Sequence, residues 1–149
     1  MDLLFVCLGN ICRSPAAEGV ALVLSRGDSR IGRIDSAGMG PWHAGNPPHV
    51  TMCEVARAAG YPIDDLRARQ VDRSDFFEFD WILAMDRQNQ RDLLALQATF
   101  GGKAKIRLLL DGAPDGIYEV PDPYGGAISD FQDSFSLIRS GVRAFLAHP

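Results

Sequence analysis

Leu3-Leu4-Phe5-Val6-Cys7-Leu8-Gly9-Asn10-Ile11-Cys12-Arg13-Ser14-Pro15 runs from an apolar stretch through a short bend into a helix start. Leu3 to Val6 shows no polar alternation, which is the pattern of a strand buried on both faces, as in a parallel sheet. Ser14 followed by Pro15 predicts the start of a helix, since serine caps orphan amides and proline is tolerated in the first turn. Ala16, Ala17, Val20, Ala21 and Val23 continue the helical pattern. The opening unit therefore reads as strand, short loop, helix.

The same alternation continues outward from this unit. Ile34 to Ala37 reads as a short second strand, followed by a Gly/Pro-rich connection from Gly38 to Pro48 that carries Trp42 and His43, with His49 just beyond. A second helix is expected around Val50 to Ala59, closed at Gly60, and a third strand over Trp81 to Met85. Arg87 to Thr99 reads as a helix, Gly101 and Gly102 as a turn, Ile106 to Leu110 as the fourth strand, and Asp111 to Ser129 as a long loop. Phe131, Phe135, Ile138, Val142, Phe145 and Leu146 recur at three- and four-residue spacing, the stripe of a helix docked on a sheet. The sum is an α/β chain: one domain over residues 1–149, three layers, with a four-stranded parallel sheet and helices on both faces. In such folds ligands lie beyond the carboxyl ends of the strands, where Cys7 begins its loop.

Composition agrees with one folded domain. A chain of 149 residues supports a single core, and 46% hydrophobic with 23% charged residues is ordinary globular usage. The net charge of -4 and the pI near 5.2 provide no field for condensation on nucleic acid or an anionic membrane. No apolar stretch approaches the ~20 residues of a membrane span. The acidic Asp2 near the start and three cysteines, too few and odd in number for a disulfide framework, lead us to expect a cytoplasmic protein with at least one free thiol.

The chemistry concentrates between Cys7 and Ser14. One cysteine and one arginine stand five residues apart between a buried strand and a helix N-terminus, and each element suits a phosphate dianion. The loop Leu8, Gly9, Asn10, Ile11 and Cys12 can turn successive N–H groups inward, and the helix end adds partial positive charge. Arg13 supplies a planar fork of donors that matches two phosphate oxygens. A helix N-terminus beside a cation also favours the thiolate form of a cysteine, so Cys7 is the candidate nucleophile and Ser14 the group that stabilises its sulfur. The glycine is not followed by Gly-Lys-Ser/Thr, which excludes a Walker nucleotide loop. Cys7 and Cys12 lack a second ligand pair for zinc, so neither metal nor cofactor is expected.

The stretch Val6 to Pro15 resembles the signature of the low-molecular-weight protein tyrosine phosphatases. Asp35-Ser36-Ala37-Gly38, Trp42-His43, Arg67-Ala68-Arg69-Gln70, Ala84-Met85-Asp86 and Pro121-Asp122-Pro123-Tyr124 resemble landmarks of that family in the same order. The resemblance implies hydrolysis of protein phosphotyrosine through a cysteinyl-phosphate on Cys7, with Arg13 holding phosphate. It makes Asp122 the acid that protonates the leaving phenolate and then the base that activates water. Trp42 and Tyr124 become the walls for the substrate ring, and Ser36 a support of the loop. Relatives that hydrolyse phosphoarginine tend to carry threonine where Ile11 stands. Cys12 is implied as a redox partner that captures oxidised Cys7 as a reversible disulfide. Cys53 reads as a small buried residue of the second helix. The implied partners are a phosphotyrosyl protein and a tyrosine kinase, with no membrane insertion and a monomer or weak dimer as the assembly.

The chain also departs from the family. Leu66 occupies the place of a histidine that often joins the equivalents of Asn10, Ser14 and Ser36 in a hydrogen-bond network. Asn46 to Thr51 lacks the usual Asp-Pro-Arg, and Gly125 replaces a second tyrosine after Tyr124. Two alternatives stay open: a thioredoxin-coupled arsenate reductase, for which Cys53 is the only cysteine outside the loop, and a non-catalytic phosphopeptide-binding module.

Overall fold

The computed structural model describes residues 1–113 and 116–149. Pro114 and Asp115, within the expected loop 111–129, lie outside the described residues. The apolar runs become strands β1 (Leu3–Cys7), β2 (Ile34–Gly38), β3 (Trp81–Ala84) and β4 (Lys105–Leu108), all parallel and ordered β2-β1-β3-β4. Every residue of β1 is buried because it is a central strand covered on both faces.

Helices α1 (Arg13–Leu24), α2 (Val50–Ala58), α3 (Asp75–Glu78), α4 (Arg87–Phe100) and α5 (Ile128–Ala147) supply the covers. The two-residue period of β1 divides the core. Leu3, Phe5 and Cys7 pack with α1, α2 and α5, while Leu4 and Val6 pack with Phe76, Phe79 and Leu93 on the α3 and α4 side. All six apolar residues of the α5 stripe are buried, as their spacing predicts. These features give the expected single α/β domain. Among the described residues, no helix is long and apolar enough to cross a membrane.

Three local details differ from the sequence expectation. Helix α1 begins at Arg13 with Cys12 in the cap position, and no side chain caps it. Ser14 is inside the helix, its hydroxyl turned to Cys7 instead of the helix amides. Strand β4 ends at Leu108, where Asp111 N–H closes a turn on the Leu108 carbonyl. The four-residue α3 was not anticipated, because one turn carries no periodic signal; it is held by Asp75, whose carboxylate accepts from Asp72 N–H and from Arg69.

The strand order fixes the position of the site. From β1 the chain crosses through α1 to β2 on one side, while β3 lies on the other side. Connections diverge at the carboxyl end of β1 and leave a crevice there. Cys7 is the last residue of β1 and pairs with Gly38 of β2. A Cβ on Gly38 would stand 3.0–3.1 Å from Gly9 and Asn10, so glycine permits the loop after β1 to lie against β2.

Candidate active site

Beyond β1, the loop Leu8 to Cys12 is tied to its surroundings by carbonyls. Leu8 C=O accepts from Gly40 N–H at 3.0 Å and Ile11 C=O from His49 N–H at 2.8 Å. In a trans peptide the N–H lies opposite the C=O, so Gly9 and Cys12 N–H point away from those partners. Asn10 adopts φ +58°, a left-handed conformation that asparagine tolerates better than most residues. Its N–H donates to Cys7 Sγ at 3.3 Å, and Ser14 Oγ lies 3.0 Å from the same sulfur.

Behind the loop is a buried polar network. The Asn10 side-chain amide donates to Ser14 Oγ at 2.7 Å and to Ser36 Oγ at 2.9 Å, and its Oδ1 accepts Arg69 N–H at 2.9 Å. Ser36 in turn donates to Glu18 Oε1 at 2.6 Å. Arg69 N–H thus supplies Asn10 with a donor from the segment that carries Leu66, so backbone satisfies the asparagine oxygen although Leu66 has no polar group to offer.

Arg13 is buried and stays charged. Burial works against its charge, and Cys7, Asp86 and Asp122 outweigh that penalty and push its proton affinity up. One end of the guanidinium is anchored, with Nη1 donating to Asp86 Oδ2 at 2.7 Å and to the Val120 carbonyl at 2.9 Å. Nη2 reaches toward Asp122 Oδ2 at 3.6 Å. Asp86 also caps α4 by accepting Asn89 N–H, so one carboxylate fixes both a helix start and the arginine. The Asp122 loop is pinned just before the carboxyl: Val120 N–H bonds to Met85 C=O, and Ser134 Oγ donates to Pro121 C=O at 2.7 Å.

Together these elements form a cleft of about 180 Å³. Cys7, Ile11, Cys12 and Arg13 line its floor, Leu8, Gly9 and His43 one side, and Asp122, Trp42 and Tyr124 the mouth. Trp42 and Tyr124 are 65% and 61% exposed, which leaves ring surface open to a ligand. Trp42 lies over Gly40, where a Cβ would come within 2.0–2.3 Å of its ring. Tyr124 meets the His49 ring edge-on at 5.9 Å, and His49 packs on Phe131 at 4.9 Å, so the exposed wall rests on the core. The structure thus gathers the candidates Cys7, Arg13, Asp122, Trp42 and Tyr124 in one cleft and places Ser14 and Ser36 behind it.

It also adds residues that sequence reasoning did not assign: Asp86, which anchors Arg13, His43 at the wall, and Glu18 at the end of the network. Cys12 is buried beside Cys7, and burial, with Cys7 and Asp122 adding to it, pushes its thiol up to about 12; all three cysteines are free. It is therefore a neutral thiol near pH 7.

Glu18 is only 7% exposed, and burial, reinforced by Asp35, raises its carboxyl from 4.5 to about 7 against the opposing pull of Ser36 and Arg69. Below pH 4.5 the group is protonated whether folded or unfolded and contributes no difference. Between 4.5 and 7 the folded protein retains a proton that the unfolded chain has lost, so this group makes stability fall as pH rises. Above pH 7 the cost levels at about 3 kcal/mol. Urea unfolding of Glu18→Gln should therefore show stability gained over wild type that grows from pH 4.5 to 7; parallel pH curves for the two proteins would refute the shift.

A family model for low molecular weight phosphotyrosine protein phosphatase matches residues 2–148. The chain is 43% identical to low molecular weight protein-tyrosine-phosphatase YfkJ of Bacillus subtilis, over 99% of this chain and 94% of that protein. It is 42% identical to the human low molecular weight phosphotyrosine protein phosphatase, over 97% and 93% of the two chains. The crystal structure of YfkJ superposes with a TM-score of 0.88, covering 99% of this chain and 92% of that one. The Drosophila arginine phosphatase DARP superposes with a TM-score of 0.92 at 30% identity, over 99% and 97% of the chains. With the sheet order, the Cys7 loop and the whole-length match all in agreement, this chain belongs to the low molecular weight phosphotyrosine protein phosphatase family.

Proposed function

We propose that this protein hydrolyses protein phosphotyrosine in two steps through Cys7. The observation that carries the reading is the convergence of a buried thiol, an anchored guanidinium and a carboxyl at the mouth of one cleft with two exposed aromatic rings. The Cys7 thiolate attacks phosphorus from the cleft floor, opposite the departing oxygen. Arg13 Nη2 and the loop amides hold the three equatorial oxygens, where charge is greatest in the transition state. Asp122 gives its proton to the phenolate oxygen as the P–O bond breaks. In the second step water attacks the phosphocysteine, Asp122 takes the water proton, and Cys7 departs as a thiolate that Ser14 stabilises with its hydrogen. Inorganic phosphate then leaves.

Trp42 and Tyr124 favour a flat phenyl ring over the short arm of phosphoserine. The fold by itself does not separate phosphotyrosine from phosphoarginine, because an arginine phosphatase shares it; Ile11 at the floor supports the tyrosine reading. Assays of peptides bearing each phosphorylated residue should show phosphotyrosine preferred by on the order of 100-fold in kcat/KM, and rapid quench should trap label on Cys7. Equal turnover of phosphoserine peptide would overturn the assignment.

The role of Asp122 has its own signature. Asp122→Asn cannot donate a proton and should lower kcat on a phosphotyrosyl peptide by about 10²- to 10³-fold. For p-nitrophenyl phosphate the loss should be much smaller, since nitrophenolate leaves without protonation. Equal losses on the two substrates would remove Asp122 from the acid role.

A further inference from the structure

The network behind Cys7 has a direction, and Glu18 sets one end of it. Ser14 has a single hydroxyl hydrogen and three neighbours: Cys7 Sγ at 3.0 Å, the Asn10 amide at 2.7 Å and the Ala37 carbonyl at 3.4 Å. Whether that hydrogen reaches the sulfur depends on which face Asn10 presents. With its NH₂ toward Ser14, Asn10 donates and leaves the serine hydrogen to the two acceptors that remain, of which the sulfur at 3.0 Å is nearer than the Ala37 carbonyl at 3.4 Å. With its carbonyl there, Asn10 would take that hydrogen instead.

Two groups decide the orientation of Asn10. On one side Arg69 N–H, which can only donate, requires Oδ1. On the other side Ser36 Oγ must accept, and it does so because its own hydrogen is given to Glu18 Oε1 at 2.6 Å. Asn10, Ser14, Glu18 and Ser36 are all buried, so water does not compete for these choices. We infer that Glu18 is a positioning residue for the nucleophile: as terminal acceptor it orders Ser36, Asn10 and Ser14 so that the Ser14 hydrogen points at Cys7 Sγ.

The surroundings explain why a carboxyl in this place serves as an acceptor and not as half of an ion pair. The charged groups bearing on Glu18 are Asp35 of β2 and Arg69 of the connection between α2 and α3. The Arg69 guanidinium is occupied elsewhere, bidentate to Asp75 at 3.0 Å and bonded to Asp35 at 3.1–3.2 Å. Ser36 is left as the hydrogen-bonding side chain for Glu18. A protonated carboxyl keeps one accepting oxygen, so the ordering does not depend on Glu18 being ionised.

The inference rests on Cys7 as nucleophile, and its test reads the sulfur directly as well as turnover. Glu18→Met removes the acceptor at similar volume, and Glu18→Gln keeps an accepting oxygen without the charge. Iodoacetate inactivation would be followed against pH for both, with folding checked by circular dichroism. For Glu18→Met the pH at half-maximal Cys7 alkylation should rise by about one unit, with kcat on p-nitrophenyl phosphate about tenfold lower and KM within about threefold. Glu18→Gln should hold the alkylation midpoint at or below that of wild type, which a purely structural role for Glu18 does not require. Ser36→Ala breaks the chain one link nearer the site and should shift alkylation in the same direction as Glu18→Met. A folded Glu18→Met protein with wild-type alkylation and kcat would overturn the inference. Wild-type protein that alkylates normally but hydrolyses no phosphotyrosine would overturn the proposed function instead, leaving the ordering of Cys7 to be judged on alkylation alone.

Discussion

Cys7→Ser should lower kcat on p-nitrophenyl phosphate, assayed in the presence of a chelator, by at least about 10⁴-fold. The size of the loss follows from what surrounds the sulfur. Its polar neighbours are Asn10 N–H and the Ser14 hydroxyl, which stabilise an anion already formed but cannot take a proton from an alcohol at neutral pH. A serine here would have to attack as the neutral alcohol, a much weaker nucleophile. The oxygen is smaller than the sulfur it replaces and accepts the same hydrogen bonds, so the fold and the anion site should survive and the variant should still bind phosphotyrosyl proteins. That makes it a trap for substrates in a lysate. Full turnover by Cys7→Ser would eliminate the cysteinyl-phosphate mechanism. Tight phosphopeptide binding by wild type with no hydrolysis would favour a binding module, and arsenate-dependent thiol consumption would favour an arsenate reductase.

Arg13→Lys should lower kcat/KM by roughly 10³-fold, although charge is retained. The guanidinium performs two tasks with different nitrogens: Nη1 is spent on Asp86 and the Val120 carbonyl, and Nη2 is left for the cleft. A lysine has one nitrogen. If it sits at the Asp86 anchor it is withdrawn from phosphate, and if it reaches phosphate it abandons a carboxylate and a carbonyl. Loss of one well-placed donor to transition-state charge costs about 10²- to 10³-fold, and loss of the bidentate fit adds to it. Steady-state kinetics together with inhibition by inorganic phosphate would test this, since ground-state affinity should weaken less than kcat/KM falls. Activity within tenfold of wild type would show that Arg13 acts as a simple point charge.

Much of the site was legible because its parts are close in sequence. The apolar run before Cys7, the five residues to Arg13 and the Ser14-Pro15 start lie within one strand-loop-helix unit, where local chemistry predicts local structure. The final helix was legible for a similar reason, since Phe131, Phe135, Ile138, Val142, Phe145 and Leu146 repeat at helical spacing and are all buried. Ser14 suited two tasks by type and place, a helix cap and a partner for the Cys7 sulfur; the turn of the loop sets its hydroxyl 3.0 Å from that sulfur and leaves the helix without a side-chain cap.

The Cys7-to-Arg13 loop and the alternating strands and helices were therefore determined by the sequence through local patterns, and Asp122 became a candidate through family resemblance. Tertiary structure decided the rest: the sheet order that opens the crevice at β1, the grip of Asp86 on Arg13 across 73 positions, and the link from Ser36 to Glu18. The physical reason is that parallel strands meet only after long crossovers. Residues remote in the chain become hydrogen-bond partners without leaving any periodic trace, and a buried carboxyl reveals its role only when the group donating to it is in view.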